Sequence, residues 1–441
     1  MKRKSIFLVK LMGLIIVTLI TFNINYYSFA IEPGNNVIRR NTVNFTTGTY
    51  DGTESDGSAS YGAILEKEKI MSISKCYLNT FINITASNID KNQVKLSNNF
   101  VNLYDVEGNL FAYMIPILYA NNQIGYITIG AAENNCSVYE ITFNDNAEKI
   151  EAFINGKKAR VIFIPPMRYV IKSNDGKYFE LEGRNGNTTD ITQEFKESQK
   201  RLMKIYSRVV KAKEKSQIAI NTMNSTNTST NALSVIENAK LINSSISNFV
   251  PVYEGTTIYY GGDQAWYDTE TKKNRGCGPV AAANITCYFA RKPGTTWDAL
   301  YSPRNLSKTS FISHMDTLYS YINPGLLGTW WGKFVESVEK FSSDRGAPLR
   351  RVVNNWDFTL TNTSTYIKNG LNNDSPVAML NMQPFGDYEY KAHWMTITEY
   401  YRYSDGTRWV TVSTWGERRS ISYDVWFEST STWGGGLIYF E

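Results

Sequence analysis

The hydrophobic positions in the first half of the chain fall into short runs, and Gly, Asn and Asp residues separate the runs. Runs of this length between turn residues are typical of strands. Two longer segments, 61–78 and 194–217, space their apolar residues as helices do. The pattern predicts an α+β domain with an antiparallel sheet. We expect its strands at 101–104, 110–117, 125–129, 137–143, 158–164, 169–171 and 178–181.

The second half of the chain has its helical patterns first and its strand patterns afterwards. A small-residue segment behind Cys277 predicts one helix, and three amphipathic segments predict others. Helices followed by an antiparallel sheet make a second α+β domain. The amphipathic helices are expected at 311–322, 331–341 and 364–371, and the strands at 376–381, 394–403, 408–414, 421–426 and 436–440.

A change in composition separates these two halves. Asn, Ser and Thr dominate 221–248, around one short apolar stretch, and this composition is typical of a linker. All ten tryptophans and both histidines follow Val250. The sequence therefore predicts a smaller N-terminal domain at 31–220, a linker at 221–249 and a C-terminal domain at 250–441.

The first 30 residues have the pattern of a secretory signal peptide. Basic residues at 2–4 precede a mostly apolar run at 6–20, and small residues lead to a cleavage position near Ala30. We therefore expect a secreted chain that begins near Ile31 and has no other membrane contact. An uncleaved N-terminal anchor is the alternative.

Charge and cysteine content restrict the function classes. A net charge of +5 over 441 residues, without a basic tract, argues against a nucleic-acid partner. Four cysteines are too few for a disulfide framework. Cys277 and Cys287 would lie about 15 Å apart along one helix, beyond disulfide reach. A bond between Cys76 and Cys136 stays open, and no metal ion or cofactor is expected.

Cys277 is the first candidate for chemistry, because it lies between two glycines at the predicted start of a helix. The helix dipole and the unpaired N–H groups there favour the thiolate, which is the nucleophilic form of cysteine. The alternative is a small buried cysteine at a tight turn.

A thiolate nucleophile needs a base, and the chain has two histidines. His314 lies within an amphipathic helix, where we expect a surface or boundary residue. His393 starts a strand directly after a loop, so it can face a cleft. A polar residue at the start of a strand is the alternative for His393.

Four segments of the C-terminal domain, in this order, resemble papain-like cysteine peptidases, in particular the bacterial branch of bacteriocin-processing thiol peptidases. The nucleophile segment is Gly-Cys-Gly-Pro-Val-Ala-Ala at 276–282. A helix then ends, turns and enters a strand at Pro-Val within 371–377. The base-bearing strand is Ala-His-Trp-Met-Thr-Ile at 392–397, and Val-Ser-Thr-Trp-Gly at 412–416 matches the segment of the orienting residue.

The resemblance implies a papain-like fold and a role for each matching residue. Cys277 would be the nucleophile and His393 the base. Ser413 takes the place of the family's Asn or Asp that orients the imidazole, and Thr414 and Asp424 are alternatives for this third position. Gln264 is the candidate for the family's oxyanion-hole glutamine, with the Cys277 N–H as second donor.

The N-terminal domain weakly resembles the propeptides of streptopain-like secreted cysteine peptidases, at 110–116 and 124–129. This implies a prodomain that docks on the catalytic domain; a permanent substrate- or wall-binding domain is the alternative. The expected function is a secreted cysteine endopeptidase, made as a precursor, that acts on peptides or proteins. The alternatives are a cell-wall amidase or peptide-crosslink hydrolase with the same dyad, and an inactive binding or adhesion protein.

Overall fold

A computed structural model gives the fold of the chain. The predicted signal peptide (1–30) and residues 221–232 and 243–248 of the predicted linker lie outside the described residues. The structure describes residues 61–85, 90–143, 150, 159–182, 187–215, 233–242, 249–294, 296–303, 305–325, 328–353, 358–381, 393–429 and 435–441.

The N-terminal half combines helices with a sheet, as its apolar runs predict. Helix α1 (Lys67–Thr85) begins later than predicted, and helix α2 (Thr192–Lys215) agrees with its predicted range. The strands are β1 (Val94–Leu96), β2 (Val101–Tyr104), β3 (Leu110–Tyr119), β4 (Asn122–Gly130), β5 (Val138–Thr142), β6 (Arg160–Ile164), β7 (Arg168–Lys172), β8 (Tyr178–Glu182) and β9 (Asn187–Asp190). Ala120 and Asn121, with φ of 47° and 68°, form the two-residue turn between β3 and β4.

The C-terminal half places most of its helices before its main strands, as predicted, so the described chain is of the mixed α+β class. The helices are α3 (Glu270–Arg275), α4 (Cys277–Ala290), α5 (Lys308–Ile322), α6 (Trp331–Asp344), α7 (Leu360–Asn372) and α8 (Tyr423–Ser429). The strands are β10 (Val235–Lys240), β11 (Pro251–Glu254), β12 (Thr257–Tyr260), β13 (Val377–Asn381), β14 (His393–Tyr403), β15 (Arg408–Thr414), β16 (Glu417–Ser422) and β17 (Gly435–Ile438). Over the described residues, no helix combines the length and apolar character needed to cross a bilayer.

Two segments differ from the sequence predictions. The strand predicted at 421–426 is wrong, because β16 ends at Ser422 and the chain turns into α8. The Ser422 hydroxyl accepts the backbone N–H of Val425 at 3.3 Å, which is an N-cap bond. The predicted linker at 221–249 contains β10, which pairs with β14 and buries Ala239. Composition does not reveal β10 because this strand leaves most of its side chains exposed.

One sheet runs through both halves of the described chain. Its order is β17-β13-β14-β15-β16-β5-β4-β3-β2-β6-β7-β8-β9, with β1 on β3 and β10 on β14. The strands β2 and β6 are parallel, and the other described pairs are antiparallel. The halves meet where β16 pairs with β5, at Ser420–Ile141 and Ile421–Glu140. Main-chain pairing therefore connects the N-terminal half to the C-terminal sheet.

Helix α4 lies on β13 and β14 and is buried along its whole length. The small residues of α4 allow neighbouring segments to approach it closely. An added Cβ at Gly278 would lie 2.4 Å from the Thr329 hydroxyl oxygen. The core behind it includes Trp394, whose ring stacks on Phe334 with centroids 4.1 Å apart. This packing fixes the first turn of α4 beside the first residues of β14.

Candidate active site

A small cavity lies where α4, β14 and the end of β15 meet. Its volume is about 10 Å³, roughly the space of one water molecule. All four residues that the sequence predicts for the site line it: Gln264, Cys277, His393 and Ser413. The other lining residues are Val280, Ala281, Asn284, Trp394, Thr414 and Trp415.

Cys277 is the first residue of α4, as predicted, and Gly276 is its N-cap. An added Cβ at Gly276 would lie 2.3 Å from the ring of Tyr267, so this approach requires glycine. Burial raises the pKa of the Cys277 thiol, and hydrogen bonds from the N–H groups of Trp394 and Gly278 offset only part of the rise. The thiolate expected from the helix N-terminus is therefore not the favoured form here, because desolvation outweighs the N–H groups.

His393, the first residue of β14, lies between two side chains from the end of β15. Its Nε2 lies 2.8 Å from Thr414 Oγ1. Its ring stacks on Trp415, with centroids 4.6 Å apart and 18° between the planes. Burial is the main cause that lowers the pKa of His393 to about 3, and the charges of Arg419 and Arg168 contribute to the same shift. The imidazole is therefore neutral at physiological pH.

The cysteine and the histidine are thus both uncharged in this structure. A reactive pair needs the thiolate on cysteine, and the imidazole takes the proton. Burial opposes both charges, since it raises the pKa of the thiol and lowers the pKa of the imidazole. The site therefore places an uncharged thiol and an uncharged imidazole on one cavity, and hydration of the cavity would favour the ionised pair.

The turn after β15 determines which hydroxyl reaches His393. Residues 415–416 form a two-residue turn with φ of 50° and 71°. Thr414 contacts the imidazole, whereas the hydroxyl of its neighbour Ser413 donates to the main-chain oxygen of Tyr260 at 2.7 Å. Ser413 lines the cavity as predicted, but the described hydrogen bond to the imidazole comes from the alternative, Thr414.

Gln264 lies on a short 3₁₀ helix that the side chain of Asp263 caps. Asn284 Oδ1 accepts the N–H of Gly262 at 2.9 Å and thereby ties this segment to α4. Asn284 follows Cys277 by two helical turns and so lies on the same face. Sequence reasoning missed Asn284, although an amide in a helix of small apolar residues was a signal for it.

The remaining candidates lie elsewhere. Asp424 accepts the main-chain N–H of Arg408 at 2.8 Å and does not line the cavity. His314 is buried and lies 2.9 Å from Thr286 Oγ1, so its expected surface or boundary position is wrong. Its position on α5 turns it toward α4 instead of toward solvent. Burial lowers the pKa of His314 to about 3.

The other cysteines form no disulfide bond. Cys287 is fully buried, as predicted, and Cys76 and Cys136 are buried without a disulfide bond between them. Within the described ranges, no group of three or more His, Cys, Asp or Glu side chains could hold a metal ion.

Comparison with known proteins assigns neither a family nor a function to this site. No family model matches the chain, and no curated protein matches its sequence. The chemistry of the site is therefore inferred from its own residues.

Proposed function

We propose that the chain is a secreted papain-like cysteine endopeptidase that is made as a precursor. The observation that carries the proposal is the shared cavity of Cys277 and His393, with Thr414 at the imidazole Nε2. A cysteine at a helix start, a histidine on the same cavity and a partner behind the imidazole form a nucleophile–base pair. The substrate is a peptide or protein, and the reaction needs no cofactor.

The reaction would use each of these side chains in turn. In this scheme Thr414 orients the imidazole at Nε2, and Nδ1 of His393 takes the thiol proton. The Cys277 sulfur then attacks the scissile carbonyl, and Gln264 and the Cys277 N–H stabilise the oxyanion. His393 gives its proton to the leaving amine, and water hydrolyses the thioester.

The state of the site supports a precursor. The cavity holds about one water molecule, Cys277 and His393 are both buried, and their pKa values oppose ionisation. A substrate backbone needs a wider cleft. The residues that line the cavity all lie in the C-terminal half, so the N-terminal half would act on the site through the β5–β16 junction and through Arg168, whose charge lowers the pKa of His393. The N-terminal half is then a prodomain that helps to hold the dyad in its uncharged form during export.

The test uses residues 31–441 with casein, purified cell wall and an epoxysuccinyl thiol inhibitor, before and after limited proteolysis of the 216–232 segment. We expect casein cleavage after proteolysis and inhibitor attached to Cys277. The Cys277→Ala variant should lose both, whereas Cys287→Ala, which removes a thiol from the same helix, should keep both.

Three results would contradict the proposal. Casein cleavage by the Cys277→Ala variant would exclude Cys277 as the nucleophile. Release of muropeptides without casein cleavage would identify a cell-wall hydrolase. Absence of labelling and hydrolysis in a folded, proteolysed chain would identify a binding or adhesion protein.

A further inference from the structure

A buried arginine connects the two halves of the chain beside His393. We propose that Arg419 couples docking of the N-terminal half to the protonation state of His393. While β5 is paired with β16, Glu140 and Glu417 hold the Arg419 guanidinium against Trp415, which stacks on the imidazole. This regulation rests on the proposed peptidase function, because it acts on the same dyad.

The guanidinium of Arg419 is fixed by two carboxylates from different halves of the chain. Its Nη1 lies 3.2 Å from Oε1 of Glu140 on β5. Its Nε and Nη2 donate to Oε2 of Glu417 on β16, at 3.1 and 2.7 Å. Tyr169 of β7 donates to the other oxygen of Glu140 at 2.7 Å. The side chains of Arg419, Glu140 and Glu417 are only 4%, 0% and 1% exposed, so water does not screen the charge of the guanidinium. Burial raises the pKa of Glu140 to about 7 and so weakens the negative charge that offsets this cation near neutral pH.

One aromatic ring, that of Trp415, connects the same guanidinium to the site. The Arg419 Cζ lies 5.3 Å from the centroid of Trp415, and Trp415 stacks on His393 at 4.6 Å. A cation held this close in a buried environment disfavours a second positive charge on the imidazole. Docking therefore removes water from a positive charge that Trp415 connects to the base.

The other groups around the imidazole also favour its neutral form. Cys277 comes from α4 and is held as the neutral thiol by burial, which raises its pKa. Thr414 from β15 carries no charge. Arg168 from β7 is a second cation, and its charge also lowers the pKa of His393. Undocking the N-terminal half removes Glu140 and Arg168 and exposes Arg419 to water, which weakens its effect on His393.

The test is a histidine titration of residues 31–441 by NMR with ¹³C-labelled histidine. The chain has two histidines, so the spectrum has two imidazole signals, and buried His314 is the internal reference. We expect Arg419→Gln to raise the pKa of His393 by roughly one unit or more, because a nearby cation is removed. Glu140→Gln, which keeps the cation, should raise it less than Arg419→Gln does.

Arg418→Gln is the matched control. Arg418 is the preceding residue on β16, but it pairs with Glu399 at 3.2 Å instead of with Glu140. This variant should leave the titration of His393 unchanged. If Arg419→Gln does not fold, the triple variant Glu140→Gln/Glu417→Gln/Arg419→Met replaces the buried charges with neutral side chains of similar size. It should give the same upward shift.

Two outcomes would overturn the coupling. One is an unchanged pKa of His393 in a folded Arg419 variant. The other is an equal rise in Glu140→Gln or Arg418→Gln, because loosening of the junction would then explain the shift without the charge. The titration needs no hydrolysis, so failure of the coupling and failure of the peptidase assay remain separate results.

Discussion

Thr414→Val tests which residue orients the base. Valine keeps the shape of threonine but removes the hydroxyl that lies 2.8 Å from His393 Nε2. His393 is 7% exposed, so its ring nitrogen has little access to water as a substitute partner. Leaving a buried polar group without its bond costs about 1–3 kcal/mol. For the proposed peptidase we therefore expect kcat/KM after proteolysis to fall roughly five- to 150-fold.

The control for this variant is Ser413→Ala. It removes the bond from Ser413 to Tyr260 O but keeps the partner of His393. Its main effect should be on stability, about 1 kcal/mol lower free energy of unfolding in urea. Thr414→Asn, which keeps a side-chain oxygen, should retain more activity than Thr414→Val. Normal cleavage of a fluorogenic peptide by Thr414→Val, with cleavage at least fivefold slower by Ser413→Ala, would show that Ser413 and not Thr414 orients the imidazole.

Three further predictions follow from packing, burial and pairing. Gly278→Ala places a Cβ 2.4 Å from a buried hydroxyl oxygen, so urea unfolding should show a loss of about 1–3 kcal/mol, and a neutral effect would contradict the described packing. His393 and His314 have pKa values of about 3 when folded and about 6.5 when unfolded, so the unfolded chain takes up protons first as the pH falls below 6.5. At pH 5.5 each histidine should lower the free energy of unfolding by about 1.4 kcal/mol, and His314→Gln should flatten the pH dependence measured in urea. A chain of residues 233–441 keeps β10 on β14 and should need more urea to unfold than 250–441, whereas equal midpoints would show that β10 is dispensable.

Local patterns predicted much of the fold. The strands at 101–104 and 408–414 have the predicted bounds, because turn residues limit both runs. The start of α4 at Cys277 was predicted from the flanking glycines and small residues. The predicted strand at 421–426 failed because a short apolar run does not distinguish a strand from a short helix.

The site was harder to predict where it depends on contacts between distant residues. Ser413 and Thr414 are neighbours on one strand, so their side chains point to opposite faces. Only the pairing of β15 with β16 and the turn between them determine which face meets His393. The cation beside the imidazole depends on the pairing of β16 with β5, which no local pattern reveals.

The pairing of β5 with β16 has a consequence for maturation. Proteolysis between 216 and 232 breaks one peptide bond but leaves this pairing and the ion pair between Arg419 and Glu140 in place. The product of cleavage is therefore a two-chain complex. Docking in the uncut chain is intramolecular and independent of protein concentration, whereas the cut fragments are governed by a dissociation constant. Under the proposed function, the activity per molecule after cleavage should therefore rise on dilution. The edge of β16 that is released from β5 could then pair with another extended chain.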